Sequence, residues 1–188
     1  LLDPAGLRIA RDERVLRAVQ VVIDERLARP ILIGRPAVIA ARIARAGLRF
    51  RPGVDVEVVD PESDARYRDY WNDYQRLMGR HGVTPDMAKA LLRRSTTTIG
   101  AMMVRRGDAD AMLCGLGRGC AVRFGHGWAA IDQKNGATTL ATLNALMLPQ
   151  HTIFVIDTFV NEEPTAEELA EIAAMAAVEV RRFGLPPK

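Results

Sequence analysis

The sequence predicts an α/β protein built as a sandwich around a largely parallel sheet. Two observations carry this. Amphipathic stretches with helical spacing alternate with short aliphatic runs that suit buried strands. Punctuation residues, Thr-Pro at starts and glycine at ends, fall at the joints between them.

Residues 12–28 place Val15, Leu16, Val19, Val22, Ile23 and Leu27 on one helical stripe. "RPILIGRP" then reads as a three-residue strand between breakers, and Pro36 suits the first position of a helix that stops at Gly47. "VDVEVVD", residues 54–60, alternates apolar and acidic residues and predicts a half-exposed strand. Tyr67, Tyr70, Trp71, Tyr74, Leu77 and Met78 form an aromatic helical stripe, better explained by packing than by a ligand cage. Thr84 followed by Pro85 opens another helix, and residues 95–106 form one more, closed by Gly107. "DADAMLCG" predicts a short buried strand. Between residues 137 and 148 the leucines fit helix and strand periods equally, whereas Thr152–Asp157 is a strand. Thr165 and Glu168 make a capping box for a last helix, with Leu169, Ile172, Ala176, Val180 and Phe183 facing inward and Gly184 at its end. In a parallel sheet that helix should lead to a further strand, so the 188 residues are expected to belong to a longer chain.

Composition narrows the function classes. Apolar residues at 48% supply a core, and no apolar run approaches the roughly 20 residues of a membrane span. Charges come too early for a secretory signal, so a cytoplasmic location is expected. Cys114 and Cys120 give no disulfide framework, and the histidines His81, His126 and His151 stand apart, so no metal site is expected. The net charge is +3, with only Lys89, Lys134 and Lys188 as lysines. Many arginines neighbour acids on helix faces, and neither a basic stripe nor a nucleic-acid motif occurs, which argues against nucleic-acid binding.

The stretch "DAMLCGLGRGCAVRFGHG" tests a phosphate-loop reading. Gly115 and Gly117 supply the first two glycines of G-x-G-x-x-G, but the third position is Cys120, and no G-K-[ST] occurs. "RRSTTTIG" sets four hydroxyls beside Arg93 and Arg94 at a helix start. They could hold an anion, although ordinary capping is the simpler account. Residues alone therefore lead to an α/β domain that could bind an anionic ligand.

Longer strings go further. "DERVLRAVQVVIDERLARPILIGRP", "GVTPDMAKALLRRSTTTIGAMMVRRGDADAMLCG" and "DTFVNEEPTAEELAEIA" resemble the phosphate acetyltransferase family. "RDYWNDY" and "EVRRFG" lean toward the phosphotransacetylase-like domain that ends bacterial bifunctional NADP-dependent malic enzymes. The resemblance implies that residues 1–188 are the N-terminal part of a phosphate acetyl/butyryl transferase-like domain, a three-layer α/β/α fold in two lobes. It further implies acetyl-CoA or a related acyl-CoA in the cleft, a dimer formed through this module, and a regulatory role. NADP and a divalent metal would belong to a malic-enzyme domain outside these residues, and the family's catalytic serine and aspartate to sequence beyond Lys188, leaving no catalytic residue here. The alternatives are a working phosphate acetyltransferase and a structural dimerisation module with an inactive cleft. Arg80, Arg118, Arg123, Asp157 and Asn161 are the candidate ligand contacts. After Gly115 the chain departs from the malic-enzyme branch, since "LGRGCAVRFGHGWAAIDQKNG" replaces a histidine-bearing helix.

Overall fold

The computed structural model describes residues 12–113, 137–158 and 160–187, which belong to two compact units, residues 1–132 and 133–188. The first contains, in chain order, α1 (Glu13–Asp24), β1 (Ile31–Ile33), α2 (Pro36–Arg45), β2 (Glu57–Val59), α3 (Tyr67–Met78), a 3-10 turn (Gly79–His81), α4 (Pro85–Arg94) and α5 (Thr96–Arg106). Strands β1 and β2 run parallel, with Leu32 opposite Val58 and Ile33 opposite Val59. Side chains alternate across a strand, so this pair serves two cores. Leu32 and Val58 pack with Leu16, Ile39 and Ile43 of α1 and α2. Ile31, Ile33 and Val59 pack with Tyr70, Leu92 and Met102 of α3, α4 and α5. The pair is thus covered by helices on both faces, as parallel strands require.

The helix ends follow the expected chemistry. The Thr84 hydroxyl accepts the Met87 N–H at 3.2 Å, with Pro85 next in line. Helices α2 and α5 close through paired backbone bonds around a left-handed glycine. In α2, Gly47 N–H donates to Ala44 and Leu48 N–H to Ile43; in α5, Gly107 N–H donates to Val104 and Asp108 N–H to Met103. The same pattern ends α1, but there the left-handed residue is Arg26, at φ 55°. This closure stops α1 at Asp24 and leaves Leu27 exposed, short of the helix predicted to residue 28.

Two other expectations fail for stated reasons. The strand predicted over 54–60 shrinks to Glu57–Val59, because Gly53 and Asp55 are tied into a tight turn (Gly53 N–H to Val56 O, Asp55 N–H to Arg51 O). The "DADAMLCG" segment is irregular over residues 108–113, and Leu113 is 95% exposed. Its Met112 still packs into the core against Gly100 of α5. Cys114 and Gly115 lie outside the described residues.

The second unit holds β3 (Leu143–Met147), β4 (Thr152–Ile156) and α6 (Ala166–Arg182). The ambiguous leucine run is a strand, paired antiparallel to β4 with Leu143 opposite Ile156 and Met147 opposite Thr152. A turn closed by Leu148 N–H to His151 O joins them, far too short for a parallel crossover. The second unit thus adds an antiparallel pair to the parallel pair of the first. The capping box forms in full: Thr165 Oγ1 accepts the Glu168 N–H, and Glu168 Oε2 accepts the Thr165 N–H at 2.7 Å. Helix α6 buries Ile172 and Val180, but Leu169 and Phe183 are exposed rather than inward. None of the described helices is long and apolar enough to cross a membrane.

Candidate functional site

In parallel α/β structures ligands collect beyond the carboxyl ends of the strands. Here the carboxyl ends of β1 and β2 open into a shallow, solvent-accessible pocket. Gly34 N–H donates to Val59 O at 2.9 Å and fixes the two strand ends side by side. Beyond them the chain turns into α2 at Arg35-Pro36 and, after β2, into the turn Asp60-Pro61-Glu62. Ile33, Val38, Ile39 and Pro61 form the apolar lining, while Arg35, Asp60 and Glu62 bring charge. The third wall is the junction of α4 and α5, with Arg93 and Thr96.

Each polar member is positioned by local chemistry. The Asp60 carboxylate is engaged in its own turn, accepting the Glu62 N–H at 3.1 Å and the Ser63 hydroxyl at 3.2 Å. Ser95 caps α5, its Oγ accepting the Thr98 N–H at 3.2 Å and the Thr98 hydroxyl at 2.8 Å. Capping thus accounts for part of the hydroxyl run, while Thr96 lines the pocket. Arg93 is held over the Tyr67 ring, 5.8 Å from its centroid. Burial pushes the Tyr67 phenol above its ordinary pKa, and the nearby guanidinium partly offsets that rise. Neither Arg35 nor Arg93 forms an ion pair with a carboxylate among the described residues. By contrast, Arg66 bridges Glu57 and Asp64 at 2.6 and 2.9 Å, and Arg106 pairs with Asp69, Asp73 and Asp108.

The residues expected to touch ligand fall in both units and in the stretch outside the described residues. Arg80 lies on the exposed 3-10 turn, not on the pocket lining. Arg118 and Arg123, with the glycine-rich stretch around them, lie outside the described residues. Asp157 and Asn161 do meet, within the second unit. Asp157 Oδ2 accepts the Asn161 backbone N–H at 2.9 Å and its side-chain amide at 2.8 Å; the amide also donates to Leu140 O. Asp157 Oδ1 accepts the Thr142 N–H at 3.3 Å. Burial alone would raise this carboxyl, but the hydrogen bonds from Asn161 and Thr142 outweigh it and its pKa is lowered. The pair therefore ties the segment before β3 to the loop after β4. Among the described residues no group of three or more His, Cys, Asp or Glu could hold a metal ion. Sequence reasoning passed over Arg35 and Glu62, although a signal existed: "GRP" and "DPE" each follow a strand directly.

A parallel strand pair covered by helices on both faces defines an α/β protein. The chain belongs to the phosphate acetyl/butaryl transferase family, whose model matches residues 7–188. It is 48% identical over 188 residues to an NADP-dependent malic enzyme of Salmonella typhimurium, covering 99% of this chain and 25% of that one. An NAD-dependent malic enzyme of Rhizobium meliloti is 48% identical over 177 residues, covering 94% of this chain and 23% of the relative. A phosphotransacetylase structure from Streptococcus pyogenes superposes with a TM-score of 0.82 at 27% identity, over 95% of this chain and 54% of that one. The chain thus spans about a quarter of the malic enzymes it resembles.

Proposed function

We propose that this chain is the acyl-CoA-sensing regulatory domain of a cytoplasmic NADP-dependent malic enzyme, without transferase activity of its own. The carrying observation is the 48% identity to malic enzymes over nearly the whole chain, through a domain of the phosphate acetyl/butaryl transferase family. A malic enzyme oxidatively decarboxylates malate to pyruvate, and its NADP and divalent metal would reside in the remainder of the parent chain. The effector would be acetyl-CoA or a related acyl-CoA. It acts by binding one arrangement of a homodimer more tightly than another; without that difference it can shift nothing. Arg80, Arg118, Arg123, Asp157 and Asn161 are the residues proposed to contact the ligand.

The test is a calorimetric titration of acetyl-CoA into the chain, with Arg123→Ala alongside. Saturable binding, weakened about tenfold by the substitution, is the expected result. Absence of heat at any workable concentration defeats the proposal. A second reading, transfer of acetyl between CoA and phosphate, is favoured by the likeness to the S. pyogenes phosphotransacetylase structure. Turnover of acetyl phosphate and CoA would establish it. A third, a structural dimerisation module, draws on the exposed apolar side chains of the second unit. Dimers in sedimentation with no acetyl-CoA binding would establish that one.

A further inference from the structure

The geometry points to the pocket between β1, β2 and the α4–α5 junction as a binding site for a phosphate group, with Arg93 and Arg35 as its ligands. The inference extends the acyl-CoA reading, since CoA carries phosphates, but it rests on the first unit alone. A guanidinium offers five N–H donors in a planar fork that matches an oxyanion. Several arginines of the first unit pair with acids, among them Arg14, Arg49, Arg66 and Arg106. Arg93 is positioned differently, over the face of Tyr67, and forms no ion pair with a carboxylate among the described residues. Arg35 joins it on the same pocket from the end of β1. The acids on the lining do not cancel this pair equally. Asp60 already accepts two bonds from its own turn, whereas Glu62 is exposed and opposes an incoming anion. Ile33, Val38 and Pro61 form the apolar part of the lining.

The pocket therefore predicts substitutions of opposite sign, which a purely structural role would not produce. Inorganic phosphate, pyrophosphate and acetyl-CoA are titrated separately into the nitrogen-15-labelled chain and followed by amide shifts. Phosphate should move the Gly34, Arg35 and Thr96 amides. R93Q and R35Q should each weaken phosphate binding about tenfold, and E62Q should tighten it about twofold. R68Q, an exposed arginine off the pocket, should leave it unchanged. R35Q guards against a folding defect in R93Q, because Arg35 makes no ion pair among the described residues. Unchanged affinity in both arginine variants, or phosphate shifts mapping elsewhere, overturns the assignment. If R93Q weakens phosphate and acetyl-CoA alike, the pocket is the phosphate subsite of the acyl-CoA site. If R93Q weakens phosphate while acetyl-CoA does not bind at all, the pocket stands as a free-phosphate site and the acyl-CoA reading fails.

Discussion

The two units spend their apolar residues in opposite ways. In the first, short strands are sealed from both sides, and Leu16, Ala88, Leu92, Ala101 and Met102 are completely buried. In the second, the buried residues among those described are Thr139, Ile172 and Val180, while Leu146, Met147, Ile153 and Val155 of its hairpin stay exposed. Phe154 and Phe183 meet at 5.5 Å, so the end of α6 touches the hairpin face of Phe154, on which Met147 and Ile156 stay exposed. Leu146, Ile153 and Val155 share the other face by register. Within these residues, the strands of the first unit have helices on both faces, whereas the hairpin keeps apolar side chains exposed.

The sharpest way to break this comparison is a pair of truncations. Leu92→Ala, at a site with no exposure, should cost about 2–5 kcal/mol in denaturant unfolding. Phe154→Ala, half-buried, should cost about 1 kcal/mol. Equal losses would show that the second unit is as tightly built as the first. Next in size is Gly100→Ala. A Cβ there would stand 2.7 Å from Met112 Sδ, so the flexible Met112 side chain must shift, and the net cost should be about 1 kcal/mol. Adding Met112→Ala should relieve the clash, leaving the double variant less destabilised than additivity requires. Arg26→Gly should work the other way, gaining about 1 kcal/mol, because arginine is strained at a left-handed helix end where glycine is not. A melting temperature that falls instead would show that the Arg26 side chain has a role beyond its backbone.

The smallest effect separates the units by acid. Asp12 is held at about 2 by the side-chain and backbone bonds of Arg14, and Asp157 is also lowered. Both folded values lie below the unfolded one, near 3.8. Their stabilisation is therefore complete above that value and is lost as pH falls through the folded pKa. Asp157→Asn should flatten the acid sensitivity of amide protection in residues 137–158 and leave that of α1 alone. Loss of protection in both regions together would overturn the assignment.

Much of this fold was legible in the sequence because its signals were local. Thr84-Pro85, the Thr165–Glu168 box and the glycines at 47, 107 and 184 act within a few residues, and each appears where expected. The failures are of longer range. Period-two alternation in "VDVEVVD" missed the turn at Gly53, and nothing local distinguishes a leucine run that pairs as a strand from one that coils. Arg26 was invisible as a helix stop, since it is not a glycine. The pocket was half legible: "RRSTTTIG" drew attention to Arg93, but only the pairing of β1 with β2 brings Arg35 and Glu62 to the same place.

The aromatic stripe of α3 gives the chain a built-in reporter. Tyr67, Tyr70 and Tyr74 are its only tyrosines, and burial raises all three, with Asp108 accepting the Tyr70 hydroxyl at 2.9 Å to reinforce that rise. In the folded chain all three phenols ionise above the ordinary value. Phenolate absorbance therefore increases when the first unit opens and releases these phenols to water, so it follows that opening without label or dye.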